Sequence, residues 1–228
     1  MRRLIKLVFA VFFMLIAALA QAGALDAISS GDASAGVKEA LAKGADYAVS
    51  SLGKSGGFLG NDKVKIKLPG YLEKADSAMR MLGMGKQADQ LVETMNHAAE
   101  NAVAEAKPIL TESIKKMSIT DAKDILTGGD DSVTQYFKRT STDQLTAKFL
   151  PIVKAETNKL KLADQYNKFA GKAASAGLVK NEDANVDSYV TQKAMDGLFL
   201  MIAEEEKKLR ANPMGAGSDL LKSVFGAL

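Results

Sequence analysis

Glu93, His97 and Glu100 are the residues whose spacing most invites a chemical reading. Separations of four and three residues put all three on one face of a helix, as ligands for a metal ion must be. A helical projection at about 100° per residue argues the other way. Leu91, Val92, Met95, Ala98, Ala99, Ala102 and Ala106 gather on one side of the helix. Glu93, His97 and Glu100 point roughly 180° away, onto the solvent back of the helix unless a second layer covers it. His97 is the only histidine, so no histidine pair exists for zinc, and a Ser-His-Asp triad would have to use it.

A second cluster is Thr127-Gly128-Gly129-Asp130-Asp131-Ser132, with Asp121 and Asp124 close by in sequence. Oxygen ligands on a glycine turn suit a hard cation, which makes Asp121, Asp124, Asp130 and Asp131 the candidate ligand or metal residues. The spacing does not match a twelve-residue calcium loop. Capping explains the same residues: glycine ends one helix, and Asp opens the next, where the helix dipole favours an anion. No metal site is predicted with confidence, and no cofactor. Gly53-Lys54-Ser55 resembles the end of a phosphate loop, but Ala48 stands where that motif needs glycine, and the helix precedes the turn. No nucleophile elbow, paired-histidine motif or dinucleotide fingerprint occurs.

Asp196 interrupts the apolar run from Ala194 to Ala203. One expectation is a buried structural ion pair, with Arg139 as the partner. The plainer reading is an edge position with an i−3 contact to Lys193.

Composition limits the partners. Arg2, Arg3 and Lys6 precede an uncharged apolar run from Leu7 to Ala20, which ends in Ala20-Gln21-Ala22. This is the layout of a signal peptide cleaved after Ala22, and the run is short for a permanent anchor, which needs about 20 apolar residues. The whole chain has 30 Lys+Arg and 27 Asp+Glu. Without the three leader charges it is neutral, which gives little drive toward nucleic acid or anionic lipid. Beyond the leader only Arg80, Arg139 and Arg210 are arginine. There is no cysteine, so disulfides, thiol chemistry and a lipidated cysteine are excluded. The expected location is the periplasm, with no stable membrane span after cleavage.

The elements follow from periodicity. Ala33 to Leu52 reads as a helix with Val37, Leu41, Ala45, Ala48 and Leu52 on one stripe. Glycines at 53, 56, 57 and 60 break it. Lys63 to Leu68 alternates strictly and predicts an extended strap with Val64, Ile66 and Leu68 on one side. Helices are predicted over 71–82, 86–106, from Pro108 to Met117, and from a Ser118 or Thr120 cap to Leu126. Another opens at 130–132. Further helices are predicted from a Ser141 cap to about Leu160, over 164–176, over 186–210, and from a Ser218 cap to Leu228. The expected architecture is all-α: one helical-bundle domain of about eight helices with the strap at its edge. Residues 1–22 form the leader, 23–60 the N-terminal helix and glycine-rich loop, and 61–228 the main helical domain.

Several stretches resemble one bacterial family. They include Gly57-Phe58-Leu59-Gly60-Asn61, Gly83 to Gln87, Met95 to Glu100, and Ala106 to Ile109. The most specific are Asp121 to Asp131 continuing into Thr134-Gln135-Tyr136-Phe137, and Tyr189 to Glu206; Asp219 to Gly226 fits as well. These are similar to the family catalogued as domain of unknown function 4197. The resemblance implies an exported helical protein and brings no catalytic residues with it. The functional expectation is a non-catalytic binding or scaffold protein, whose partner is an apolar small molecule or another envelope protein. The alternative is a carboxylate-dependent or metal-assisted enzyme using the Asp130–Asp131 turn.

Overall fold

The computed structural model describes residues 30–69, 80–81, 85–159, 164, 166–167, 175, 185–215 and 218–225. The leader, most of the helices expected over 71–82 and 164–176, and the last three residues lie outside the described residues.

Seven α-helices and a short 3-10 turn make up the described fold, with no strand among them. They are α1 (Ser30–Leu52), α2 (Gly85–Ala104), α3 (Lys107–Lys116), α4 (Ile119–Thr127), α5 (Ser132–Thr157), α6 (Val186–Ala211) and α7 (Asp219–Phe225). The fold is all-α, as expected. No described helix is long and apolar enough to cross a membrane.

The helix ends follow local chemistry. Pro108 sits in the first turn of α3, where its missing N–H costs nothing. Ser118 and Asp121 form a reciprocal capping box on α4. Asn185 caps α6 by accepting from the N–H groups of Asp187 and Ser188. Ser218 does the same for Leu221 in α7. Ser141 does not start a helix: α5 runs unbroken from residue 132 through it, and Ser141 is buried inside. Pro151 lies within α5 on its exposed side.

The four long helices α1, α2, α5 and α6 pack together, with α3 and α4 against α1 and α5. The predicted stripe of α1 is buried throughout. On α2 the packing face is small: Ala98, Ala99 and Ala102 are fully buried beside Met95 and Val103. This lets neighbouring backbones come close. In α6, Ala194, Met195, Leu198, Phe199, Met201 and Ile202 are buried, so the apolar run does pass through the core.

The loop after α1 and the strap form a second layer over α2 and α6. Val64 and Ile66 point inward and Lys63 and Lys67 outward, as strict alternation predicts. Phe58 is fully buried. Its ring occupies the place a side chain at Gly197 would need: a Cβ there would come within 2.7 Å of the ring. Gly197 is therefore the seat of the loop on α6.

The C-terminal helix docks on the body. Leu221 and Val224 are fully buried, α7 packs on α1, and Val224 fills the space left by Gly36. Burial of each side chain is worth about 1.5–3 kcal/mol, less the entropy of ordering the segment. Deleting residues 218–228 is expected to lower the melting temperature by at least about 5 °C, since about 1 kcal/mol moves a domain of this size by 2–4 °C. A thermal melt followed by circular dichroism checks this. An unchanged transition would mean that the helix contributes nothing to the body.

Candidate functional site

Three acidic side chains are buried among the described residues: Glu100, Asp187 and Glu206. A buried carboxylate is costly unless it is well bonded, so each marks a place where the fold has a specific use for an acceptor.

Glu100 lies on α2. The helical projection placed it on solvent with Glu93 and His97, and this is corrected: it is only 3% exposed. The loop after α1 supplies the covering layer. Oε1 of Glu100 accepts from the main-chain N–H of Phe58 at 2.9 Å and of Leu59 at 3.1 Å. Its Oε2 lies 2.8 Å from Nδ1 of His97. The His97 side chain remains 41% exposed, and Nε2 is 3.7 Å from Glu93. The bond to Glu100 holds the imidazole above its ordinary pKa of 6.5; burial opposes this, and the charges of Glu100 and Glu93 assist it.

One helical turn before Glu100, Asn96 is fully buried. Its side-chain oxygen accepts from the N–H of Ile66, and its amide donates to the Ile66 carbonyl, both at 2.8 Å. Asn96 thus pairs with the strap as a neighbouring strand would. Tyr189 of α6 adds a hydroxyl bond to the Lys67 carbonyl at 3.0 Å. Sequence reasoning missed Asn96. The signal was an asparagine inside a helix, on the side of an extended segment whose backbone needs partners.

Glu206 lies near the end of α6. Oε1 accepts from Arg210 Nε at 3.1 Å and Nη2 at 2.9 Å, from Ser132 Oγ at 3.1 Å and from Val133 N at 3.2 Å. Oε2 accepts from Val133 N at 3.2 Å. Glu206 therefore caps the N-terminus of α5 from another helix, where the dipole favours its charge. Burial pushes the Glu206 carboxyl above its ordinary value, against the bonds from Arg210, Val133 and Ser132.

That capping role had been expected of the Asp130–Asp131 turn. Asp131 occupies the N-cap position of α5, but its backbone (φ −114°, ψ 8°) leaves no side-chain cap bond. Its carboxylate instead accepts from Gln135 at 3.1 Å. Asp130 and Asp124 are exposed. Asp121 is engaged by the Ser118 hydroxyl and N–H and by Arg139, and these hold its carboxyl below its ordinary value. Among the described residues, no group of three or more His, Asp or Glu is placed to hold a metal ion.

The Asp196–Arg139 pair does not form. Asp196 is half exposed and meets Lys193 at 3.3 Å and Gln192 at 2.9 Å on its own helix. Arg139 pairs with Asp121 at 2.8 Å instead. The plainer edge reading holds because α6 turns Gly197, and not Asp196, toward the loop layer. The least exposed ion pair of α6 is Glu206–Arg210, with side chains 2% and 13% exposed.

Beside Glu206 a cleft of about 680 Å³ opens between α1, α6 and α7. Leu41, Val133, Ile202, Leu209 and Leu221 give it an apolar floor, and Gly44 leaves it open on the α1 side. Tyr47 and Lys208 stand at its rim, with the lysine nitrogen 5.2 Å from the centre of the Tyr47 ring. A hydrogen bond to Glu205 at 2.5 Å raises the Lys208 pKa.

A helical body with a covering layer tied down by Glu100, Asn96 and Tyr189 defines a structural class, not an activity. Residues 27–226 match the family described as Protein of unknown function (DUF4197), and the chain belongs to that family. None of the curated proteins and none of the solved structures matches it.

Two acids on α6 give a direct contrast. Glu206→Ala removes the carboxylate from the part-buried Arg210 and from the amide of Val133, and should cost about 1.5–3 kcal/mol. Asp196→Ala removes only surface contacts and should stay within about 0.5 kcal/mol. Urea melts of the two variants decide this, and equal small shifts would remove the structural role given to Glu206. The pH dependence has its own sign. With its folded pKa raised, Glu206 contributes stability that is fully present below its unfolded value and lost as pH rises through the folded one. Glu206→Gln should remove that component from the urea-midpoint profile between about pH 4 and pH 7, the range above an ordinary Glu pKa.

Proposed function

We propose that the chain is an exported, non-catalytic binding protein of the bacterial envelope that holds an apolar small molecule in the cleft between α1, α6 and α7. The cleft itself carries this reading. Its volume of about 680 Å³ lies within the range of roughly 300–1,000 Å³ usual for small-molecule sites. Its floor is aliphatic, and its polar groups stand mainly at the rim, which suits a ligand recognised by burial of hydrocarbon. The acids best placed to do chemistry are instead engaged in holding the fold: Glu100 on the loop amides and Glu206 on the start of α5. A basic leader, a short apolar run and Ala20-Gln21-Ala22 support export to the periplasm.

Gly44 provides the test. A Cβ there meets only ordinary contact, with Glu205 Cβ at 3.8 Å. A leucine at this position would project into the cleft while raising the helix propensity of α1. The uncharged probe N-phenyl-1-naphthylamine should bind the protein with enhanced fluorescence. Gly44→Leu should weaken it at least about tenfold, or 1.4 kcal/mol, with no fall in melting temperature. Absence of binding to the parent protein, or equal binding to both, would overturn the cleft assignment.

A further inference from the structure

The bonds around Glu100 connect a titrating side chain to the loop that follows α1. Residues 53–60 are joined among themselves by turns, Gly57 to Lys54 and Gly60 to Gly56, and Gly56 needs a left-handed φ of 76°. The loop is rooted where Gly53 comes close to the Ala104 backbone, and beyond that root its hold on the helical body rests on two kinds of contact. One is the Phe58 ring in its seat at Gly197. The other is the pair of main-chain N–H groups, Phe58 and Leu59, donated to Glu100 Oε1. The second oxygen of the same carboxylate is bound by the only histidine in the chain.

We propose that residues 53–60 form a pH-released latch, which His97 holds closed through Glu100 when protonated and loosens when neutral. A buried carboxylate accepting two amide protons is stabilised by a charge-assisted third bond from imidazolium. When the imidazole loses its proton, the carboxylate keeps only neutral donors, in surroundings where uncompensated charge is costly. Opening separates Glu100 from the loop amides and lets water reach it.

The charges acting on the imidazole are few. Glu93 and Glu100 share its helix, and both favour the protonated form. The packed loop from Ser55 to Gly60 contains no ionisable side chain, and the flanking Lys54 and Asp62 are exposed. On the α5 side the nearest acid is Glu156, met by Asn101 at 3.5 Å and paired with Lys159 at 2.6 Å. The sign follows from the raised histidine pKa. The closure that His97 adds is complete below about 6.5, its ordinary value, and is lost as pH rises through the value in the closed state. Opening uncovers Phe58 and its seat on α6, next to the groove lined by Lys65, Lys67, Tyr189 and Leu200. None of these residues lines the α1–α6–α7 cleft, so the latch stands or falls independently of the ligand reading.

Amide hydrogen exchange of the protein, read by NMR between about pH 5.5 and pH 8.5, the histidine titration range, tests the proposal. Rates are corrected for intrinsic base catalysis, and the buried Leu110 amide serves as reference. Protection at Phe58 and Leu59 should fall as pH rises. The fall should equal the ratio of the His97 acidity constants in the open and closed states, with the closed value read from the imidazole signals. His97→Gln should give low protection with no pH dependence, and His97→Arg high protection with none. The half-exposed position makes both variants compatible with folding. A pH-independent protection in the parent protein, or an undiminished slope in His97→Gln, would overturn the latch.

Discussion

A non-helical segment buried against helices needs partners for its backbone, and this requirement shapes the molecule. The loop and strap satisfy only part of their own N–H and C=O groups through turns, and no second strand lies beside them among the described residues to take the rest. The helices supply those partners from side chains. Asn96 pairs with Ile66, Glu100 takes the amides of Phe58 and Leu59, and Tyr189 donates to Lys67. The start of α5 poses the same problem, and Glu206 answers it from α6. Polar residues therefore face inward on α2 and α6, and those helices must lie where the acceptors reach their targets.

The energetics of these contacts are asymmetric. A satisfied hydrogen bond is worth about 0.5–1.5 kcal/mol net, whereas stranding a buried partner costs more, about 1–3 kcal/mol and higher for a charge. Glu206 and Arg210 act as one unit for this reason, and so do Asp187 and the Thr157 hydroxyl that donates to it. Surface pairs such as Lys43–Glu39 and Lys193–Asp196 are solvated and add little. The apolar core fixes the gross arrangement, and the buried acceptors fix which loop lies on which helix.

The helical body was legible in the sequence because periodicity reports directly on one buried face. The stripes of α1 and α6, the Ser118 cap, the Ser218 cap and the alternation of the strap all appear where that logic puts them. The roles of individual acids were less legible, because a projection describes one helix and knows nothing of a second layer. Glu100 and Glu93 share a sector on paper, yet only Glu100 lies beneath the loop. Asp196 attracted attention as a break in an apolar run, but the important interruption there was Gly197, read by the Phe58 ring. The acid that does hold a part-buried arginine sits in Glu204-Glu205-Glu206, which reads in sequence as an ordinary charged stretch. Its targets lie 73 and 74 residues away. No local pattern encodes such a separation. The cleft was equally invisible, since it depends on how α1, α6 and α7 meet.

Those separations also impose an order of assembly. Ile66 and Asn96 are 30 residues apart, Phe58 and Glu100 are 42 apart, and Lys67 and Tyr189 are 122 apart. The strap can gather its first partners once α2 has formed, but its bond to Tyr189 requires α6, which arrives much later along the chain. Until then Val64, Ile66 and Phe58 have an unfinished surface to lie on. Contacts of such long range require loops to close before the contacts can reward them. A chain emerging N-terminus first therefore carries an apolar, alternating segment that stays incompletely covered until residues beyond 186 are in place. Its lysines at 63, 65 and 67 are the kind of charge that keeps an uncovered strand-like segment from pairing with its neighbours.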